Sequence, residues 1–349
     1  MSGLATVAAL LLALVVSWAG HSSSVPPIRR LRLSLIFVAA STLASGISLA
    51  VVAITRFADV PAPLLGPIVG IGGIAAAVVM PLTARPRLSW ARRATFALLV
   101  SILIAVPVAV ALFASDGLLQ IAFRTLDLAG ALPALHVAAL AGGIALWAQR
   151  REPREPPGAV GRRTWRTVTL VALVGWTLWI GWLVGMELAI DDVTARIVVG
   201  AIVTPVLSAA TWLVVQRLRH DETTREGAIA GLVTGLAAIT SACGYVDVVG
   251  AAVIGVAAGA LGSIAAHSLV TPSAPLARLL PIALTIGSGT GIVALGIFST
   301  RIGLAYTGQP ELLFGQVASL LAVAAYAGII SLVLWRLLLR LRVRPASAS

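Results

Sequence analysis

The sequence predicts an all-α, polytopic membrane protein, a bundle of eleven membrane-spanning helices with its N-terminus outside and its C-terminus inside. Three observations lead there. The chain is 59% hydrophobic and only 11% charged, whereas soluble domains carry about 25% charged residues. Apolar runs recur along the whole sequence, and a bilayer core of roughly 30 Å takes about 20 helical residues to cross. These runs do not alternate, and they are too long for membrane strands of about 10 residues. All 25 basic residues are Arg, and they cluster in alternate connections.

Span 1 covers 4–19. Its rival reading is the apolar region of a secretory signal, but no basic residue precedes it, so a retained span is expected. Arg29, Arg30 and Arg32 follow it. Span 2 covers 34–55. Span 3 covers 63–83 and is followed by Arg85, Arg87, Arg92 and Arg93. Spans 4 and 5 cover 94–114 and 128–148. Gln149–Arg166, reading QRREPREPPGAVGRRTWR, is the longest polar stretch and forms a Pro- and Arg-rich inner linker. Spans 6 to 11 cover 167–189, 197–216, 227–244, 248–270, 277–299 and 313–335. Arg217, Arg219 and Arg225 follow span 7, Arg278 follows span 9, and Arg336, Arg340, Arg342 and Arg344 end span 11. Only Arg56, Arg124, Arg196 and Arg301 fall on the opposite side, which sets the orientation. The net charge of +12 is therefore a topology signal. Nucleic-acid binding would need a basic soluble domain, and none is present. The chain divides into a first half (1–149), a basic cytoplasmic linker (150–166), a second half (167–343) and a short cytoplasmic tail (344–349), together one membrane domain.

The acidic residues lean the other way. Asp59, Asp116, Asp127, Glu187, Asp191, Asp192, Asp247 and Glu311 sit at or near the outer side. Acids at a pore mouth concentrate cations; the same residues also suit loops and helix caps. Cys243 is alone, which rules out a disulfide or a cysteine metal site within one chain. Met-rich and His-rich tracts are absent, so no metal and no cofactor is expected. The spans contain no paired carboxylates, no His–Cys set and no Ser–His–Asp set, so an enzyme is not expected. The GSGTG string at 287–291 lies inside span 10 rather than after a soluble strand, which argues against a nucleotide loop.

Gly227–Gly259 is a hairpin of small residues. Lipid is as apolar as Leu, so membrane helices associate by close packing, and small side chains let backbones approach. Gly227 and Gly231 share a helix face, and Gly255 and Gly259 repeat that spacing one span later. Spans 8 and 9 are expected to pack tightly at the bundle centre. This hairpin resembles that of the ammonium transporter (Amt/Mep/Rh) family, in Gly227–Val233, in Thr240–Tyr245 (TSACGY) and in Gly250–Gly259. Ser241 stands where the family usually has Pro. Leu126-Asp127-Leu128-Ala129-Gly130 is similar to the LDFAG motif that opens span 5. Leu82–Arg87 resembles LAERIR, with Ala84 for Glu. Ile180-Gly181-Trp182 looks like the start of IGWFGFN. Gly291-Ile292-Val293, Gly296-Ile297-Phe298 and Leu341-Arg342-Val343 resemble GIV, GIF and the end of GLRV. The resemblance covers most of the chain from about residue 63 onward.

The resemblance implies an ammonium-transporter-like bundle. Spans 1–5 and 6–10 would be inverted repeats with a pore at their interface, and span 11 would wrap the outside. It also implies a homotrimer in a bacterial inner membrane, with ammonium or ammonia as substrate. Family members carry an acidic tail that helps dock the PII signalling protein. Here only Arg344–Ser349 follows the motif, so PII binding is expected to be weak or lacking.

A bare cation at the bilayer centre is costly. The family gathers NH4+ outside, removes a proton and passes ammonia by two facing histidines. Of the four His here, His21 and His220 lie in loops and His267 near an inner span end; only His136 is deep in a span. The family places its span-5 His eight residues after the motif Asp, which corresponds to Leu135. One residue turns a helical side chain by about 100°. His136 therefore either points off the pore axis or is brought back by a local bulge, for which Pro133 supplies a cause. The second His has no counterpart. Alignment on GIV reaches Gly287 and alignment on GIF reaches Leu284, with Thr285, Ser288 and Thr290 the polar side chains nearby. A hydroxyl can hydrogen-bond ammonia but cannot hold an extra proton near neutral pH. The family's two gate Phe align with Gly70 and Gly185 and its cation-site Ser with Ala189, while its outer Trp has no equivalent. Trp182 remains, with Trp179 one turn earlier, as a cation–π donor or as an interface belt residue.

The pathway residues expected are thus His136, Asp127, Trp182, Ser288 and Thr285. Two functions stand. One is a transporter or channel for ammonium or ammonia with altered or weak conduction. The other is a non-transporting descendant, acting as a sensor, a partner subunit or a conduit for another small neutral solute. With one imidazole and no relay partner, little electrogenic current and slow passage of neutral ammonia are expected.

Overall fold

The computed structural model describes residues 1–20, 25–55, 58–83, 89–148, 165–220, 223–270 and 274–340. His21, Arg56, Ala84–Arg87, the linker 150–164, Leu341-Arg342-Val343 and the tail 344–349 lie outside the described residues. Every regular element among the described residues is helical. In chain order these are α1 (Ser2–Gly20), α2 (Pro27–Ile54), α3 (Leu65–Leu82), α4 (Trp90–Val100), α5 (Val106–Phe113), α6 (Leu118–Phe123), α7 (Val137–Ala148), α8 (Trp165–Met186), α9 (Asp192–His220), α10 (Arg225–Ala242), α11 (Val248–Leu269), α12 (Leu276–Phe298), α13 (Leu304–Thr307) and α14 (Glu311–Arg340). Two π-helical turns, Ser101–Ala105 and Ala131–His136, join α4 to α5 and lead into α7.

Ten helical segments among the described residues are long and apolar enough to cross a membrane. The eighteen-residue α10 is not one of them; it begins on Arg225 and Glu226. It packs against α9, α11 and α12 inside the bundle.

Proline interrupts several of these helices, and at two of the breaks a side chain from a neighbouring helix meets the freed carbonyl. Pro205 has no N–H, which frees the Ala201 carbonyl; the Trp176 indole of α8 donates to it at 2.8 Å. Pro107 likewise frees the Leu103 carbonyl, which accepts from the Tyr326 hydroxyl of α14 at 2.6 Å. Ser48 of α2 donates to the adjacent Ile102 carbonyl at 3.0 Å. A bilayer core offers no water to such groups, so another helix must supply the partner.

The small-residue hairpin closes on α9, which lies against both of its arms. A Cβ on Gly255 would stand 2.6 Å from the Thr204 carbonyl oxygen, and one on Gly259 would stand 2.9 Å from Ser208 Cα. From the other arm, a Cβ on Gly231 would stand 2.8 Å from Ala209 Cα, and Gly227 faces Gln216 and the Trp212 indole. Close approach then permits hydroxyl bonds between helices. Ser208 donates to the Gly231 carbonyl at 2.7 Å and Thr204 to the Ala251 carbonyl at 2.8 Å. In the first half of the chain α1 packs against α3, and it also lies against α8, burying Ala5, Ala8, Ala9 and Leu12.

The turn between α10 and α11 ends in a cap. Asp247 accepts from the Gly250 amide at 2.7 Å and from the Tyr306 hydroxyl at 3.0 Å. These donors, the amide first, hold its carboxyl below the usual carboxylate range.

Two measurements test this packing. Gly259→Ala places a methyl against the Ser208 backbone, which has no flexible end to yield, and should cost about 1–3 kcal/mol. The thermal midpoint in detergent should fall for Gly259→Ala and hold for Gly46→Ala, whose Cβ would meet nothing within 4 Å. For Asp247, a lowered carboxyl pKa contributes stability above the unfolded value, and that contribution is lost as pH falls through the folded value. The midpoint of the native protein should therefore drop below about pH 4, and Asp247→Asn should lose part of that acid-side drop. Identical acid profiles for the two proteins would refute the assignment.

Candidate functional site

The site is built around the entry to α7. Leu126–Gly130 is irregular, and its backbone groups are met one by one. Gln316 of α14 clamps Leu126, donating to its carbonyl at 2.8 Å and accepting from its amide at 3.1 Å. The Leu128 and Ala129 amides donate to the Ser241 and Thr240 carbonyls at the end of α10, at 3.0 and 3.3 Å. Gly130 has φ +74°, and a Cβ there would stand 2.8 Å from Ile71 Cδ1, so both conformation and space call for glycine. The Asp127 carboxylate accepts from the Ala131 and Leu132 amides, each at 2.8 Å. Pro133 has no amide, and the Ala134 amide bonds the Gly130 carbonyl at 2.9 Å. The opening N–H groups of the helix are thereby satisfied. Both Asp127 carboxylate oxygens thus cap the helix entry, a structural role beside the pathway role expected from the sequence.

The π-turn Ala131–His136 carries one residue more than a regular helical turn. That extra residue offsets the nine-residue spacing from Asp127, since one residue is worth about 100° of rotation. The imidazole is thus turned toward α12. His136 Nδ1 lies 2.9 Å from Ser288 Oγ, a contact between residues 152 positions apart in the chain. Ser288 Oγ also lies 2.6 Å from the Leu284 carbonyl oxygen. Thr285 contributes its backbone carbonyl to the imidazole. His136 is 4% exposed and Ser288 fully buried. Neither aligned position supplies the partner. Gly287 is pressed against Thr234 of α10, and Leu284 offers its carbonyl to Ser288.

Trp179 and Trp182 are both buried, with ring centroids 5.8 Å apart and planes tilted by 50°. A belt residue would reach the lipid interface, so the belt alternative is set aside for both. Trp179 donates to Thr240 Oγ1 at 3.0 Å. The Trp182 indole N–H is buried without an acceptor among the described residues.

The positions of the expected aromatic gate are filled by helix packing. A Cβ on Gly70 would stand 2.7 Å from Ala9 Cβ, and one on Gly185 would meet the Ala5 backbone. Because α1 occupies this space, neither position has room for a ring. Three of the acids expected on the outer side act as caps or loop ties: Asp116 accepts from the Asp59 amide, Asp191 from the Val193 amide and Asp247 from the Gly250 amide. Glu187 differs. One of its oxygens accepts from the Thr194 hydroxyl at 2.6 Å, while Oε1 is buried without a hydrogen-bond partner among the described residues. Burial and the neighbouring Asp191 push its pKa up, against the Thr194 hydroxyl. Glu187 and Asp127 both bear electrostatically on Cys243, which places Glu187 near the α7 entry. In the sequence it was one outer acid among several; its distinguishing mark is its place two residues beyond Gly185. Gln316 was also missed, although a lone amide in an apolar helix is itself a signal. No group of three or more His, Cys, Asp or Glu that could hold a metal ion occurs among the described residues.

Comparison with known proteins fits this architecture. Residues 73–347 match the model of the Ammonium Transporter Family. The ammonium transporter Amt1 of Archaeoglobus fulgidus is 31% identical over 163 residues, covering 46% of this chain and 41% of that protein. The ammonium transporter of Mycobacterium bovis is 34% identical over 174 residues, covering 45% of this chain and 36% of that protein. The chain thus matches about two fifths of the length of these curated relatives. Among solved structures, Mep2 of Candida albicans superposes with a TM-score of 0.79 at 16% identity, covering 97% of this chain and 83% of that one. A structure titled as a sensor Amt protein gives 0.76 at 16% identity, covering 98% and 93%. These likenesses establish the fold, and the family model spans most of the sequence: the chain belongs to the ammonium transporter family.

Proposed function

We propose that this protein is a transporter that moves ammonia, drawn from ammonium, across the cell membrane as the neutral molecule. The His136–Ser288 contact carries the reading. Ser288 has one hydroxyl proton and three polar neighbours, the Leu284 and Thr285 carbonyl oxygens at 2.6 and 3.3 Å and His136 Nδ1 at 2.9 Å. The Leu284 carbonyl, at 2.6 Å, can only accept, so the hydroxyl proton goes there. His136 Nδ1, at 2.9 Å, is then the donor to Ser288. That tautomer leaves Nε2 as an acceptor for an N–H of ammonia. It also ends proton transfer, because a relay needs a second base beyond Nδ1 and a serine hydroxyl is not one. The unpaired indole N–H of Trp182 is a complementary donor for the ammonia lone pair.

Recruitment on this reading falls to Glu187. Its partner-free oxygen offers a negative potential that concentrates cations at the mouth. The aromatic contacts usual in the family are replaced by α1. The arginine asymmetry and the fold likeness support the rest: inverted halves 1–149 and 167–343, an outer N-terminus, a homotrimer, and a bacterial inner membrane. A silent descendant gives no reason for a π-turn that delivers His136 to Ser288.

Reconstitution in proteoliposomes tests the mechanism. An external ammonium pulse should alkalinise the lumen faster than in protein-free vesicles, with little current on a solid-supported membrane. His136→Ala should change that flux modestly. A robust ammonium-triggered current that disappears in His136→Ala would overturn the reading. Ser288→His restores a second base and should create an ammonium-evoked current. Glu187→Gln should raise the half-saturating ammonium concentration by about two- to fivefold at low salt, the difference shrinking as ionic strength screens the charge.

A further inference from the structure

Gln316, the single amide side chain of α14, is fully buried. It grips one residue from both sides. Nε2 donates to the Leu126 carbonyl at 2.8 Å, and Oε1 accepts from the Leu126 N–H at 3.1 Å, across 190 positions of chain. Upstream of this grip the chain is tied to itself. Arg124 turns it with φ +50°, and the Thr125 N–H and hydroxyl both donate to the Leu119 carbonyl, at 3.2 and 2.9 Å. Downstream, Asp127 caps Ala131 and Leu132, and the π-turn that begins there ends on His136. Gln316 therefore holds the residue that immediately precedes the cap of the site.

A single hydrogen bond fixes a distance and lets the peptide swivel. Two bonds from one planar amide to the N–H and C=O of the same residue remove that freedom. Both join neutral groups, so their net contribution to folding is modest; what they supply is direction. A swivel at Leu126 would carry the Asp127 carboxylate with it, and with that the first amides of the turn that bears His136. Gln216 of α9 offers the contrast. It is also buried and grips Thr224, donating to Oγ1 at 3.0 Å and accepting from the N–H at 3.4 Å. Thr224 caps the start of α10, whereas Leu128 and Ala129 bond the far end of that helix, so this second grip does not lead to His136. We infer that Gln316 is a positioning residue: from α14 it sets the aim of His136 on Ser288 through Leu126 and Asp127. The functional half of this inference rests on the transport reading proposed above.

The test uses full-length protein with nitrogen-labelled histidine, reconstituted in bilayers. NMR reads the ring nitrogens of His136, assigned by their loss in His136→Ala. Gln316→Met keeps the length of the side chain and removes both bonds; Gln216→Met does the same at the other grip. In the native protein His136 should show one tautomer, protonated at Nδ1. Gln316→Met should split that signal between both tautomers, and Gln216→Met should leave it as it is, whatever either does to the thermal midpoint. Ammonia flux in Gln316→Met should change by about twofold, the lower end of what a misdirected neutral hydrogen bond is worth. Adding Gln316→Met to His136→Ala should change the flux no further, because the two act as one unit. Gln316→Asn draws the amide back by one methylene; it stands in if Gln316→Met does not fold and should give the same spectrum. An undisturbed imidazole signal in the folded Gln316 variant, the same disturbance in Gln216→Met, or additive flux effects would overturn the inference. A native protein that passes no ammonia would refute the transport reading alone, and the imidazole spectrum would still decide the positioning.

Discussion

Inside a bilayer the backbone cannot turn to water, so every N–H and C=O released from a helix must find a partner in the protein. The architecture follows from that constraint. Pro205 and Pro107 each release a carbonyl, and Trp176 and Tyr326 from neighbouring helices meet them. The irregular strap before α7 is held by Gln316, by two carbonyls of α10 and by Asp127. Such bonds tie helices together where hydrophobic burial gives no preference for protein over lipid. They also fix the helix entry that aims His136. The site is a by-product of satisfying the backbone, since the Asp127 cap and the missing amide of Pro133 allow the π-turn.

Close packing is the second consequence. With little hydrophobic force between helices, contact area comes from backbone approach, and glycine sets the distance. On one side α9 fills the groove of the α10–α11 hairpin. On the other, α1 enters the space beside Gly70 and Gly185. That second contact bears directly on conduction. A ring stacked on an ammonium ion contributes roughly 0.5–2 kcal/mol, and here the volume for such rings has passed to α1. On the proposed reading, the stabilisation of a dehydrated cation is correspondingly reduced, which favours a neutral solute.

The same economy appears at the buried pair. Two facing imidazoles would offer titratable nitrogen on both helices. A serine in contact with His136 preserves a hydrogen bond across the halves and removes the second base. Ser288 Oγ lies 2.6 Å from the Leu284 carbonyl within its own helix and 2.9 Å from His136 Nδ1, and on the proposed reading the pair orients the imidazole without relaying charge. Of the remaining carboxylates, Glu187 keeps one oxygen without a partner among the described residues, while Asp116, Asp191 and Asp247 close turns and cap helices.

The sequence by itself determined the membrane class, the approximate spans, the arginine asymmetry and the family likeness. Each depends on composition or on motifs local in the chain, and apolar length and charge position act before any tertiary contact forms. It also showed that His136 sat one residue out of register and that Pro133 offered a way to correct it. Only the tertiary structure shows the bulge and turns His136 toward α12, because a π-turn depends on where Asp127, Gly130 and the α10 carbonyls sit in space. Ser288 as the partner was equally hidden. Alignment within span 10 pointed to Gly287 or Leu284, and the choice rests on how α12 rotates when Gly287 packs on Thr234. The burial of Trp179 and Trp182, the use of Asp127 as a cap and the filling of the gate by α1 are likewise contacts between distant segments. Residues far apart in the chain reveal such contacts only when the helices are brought together.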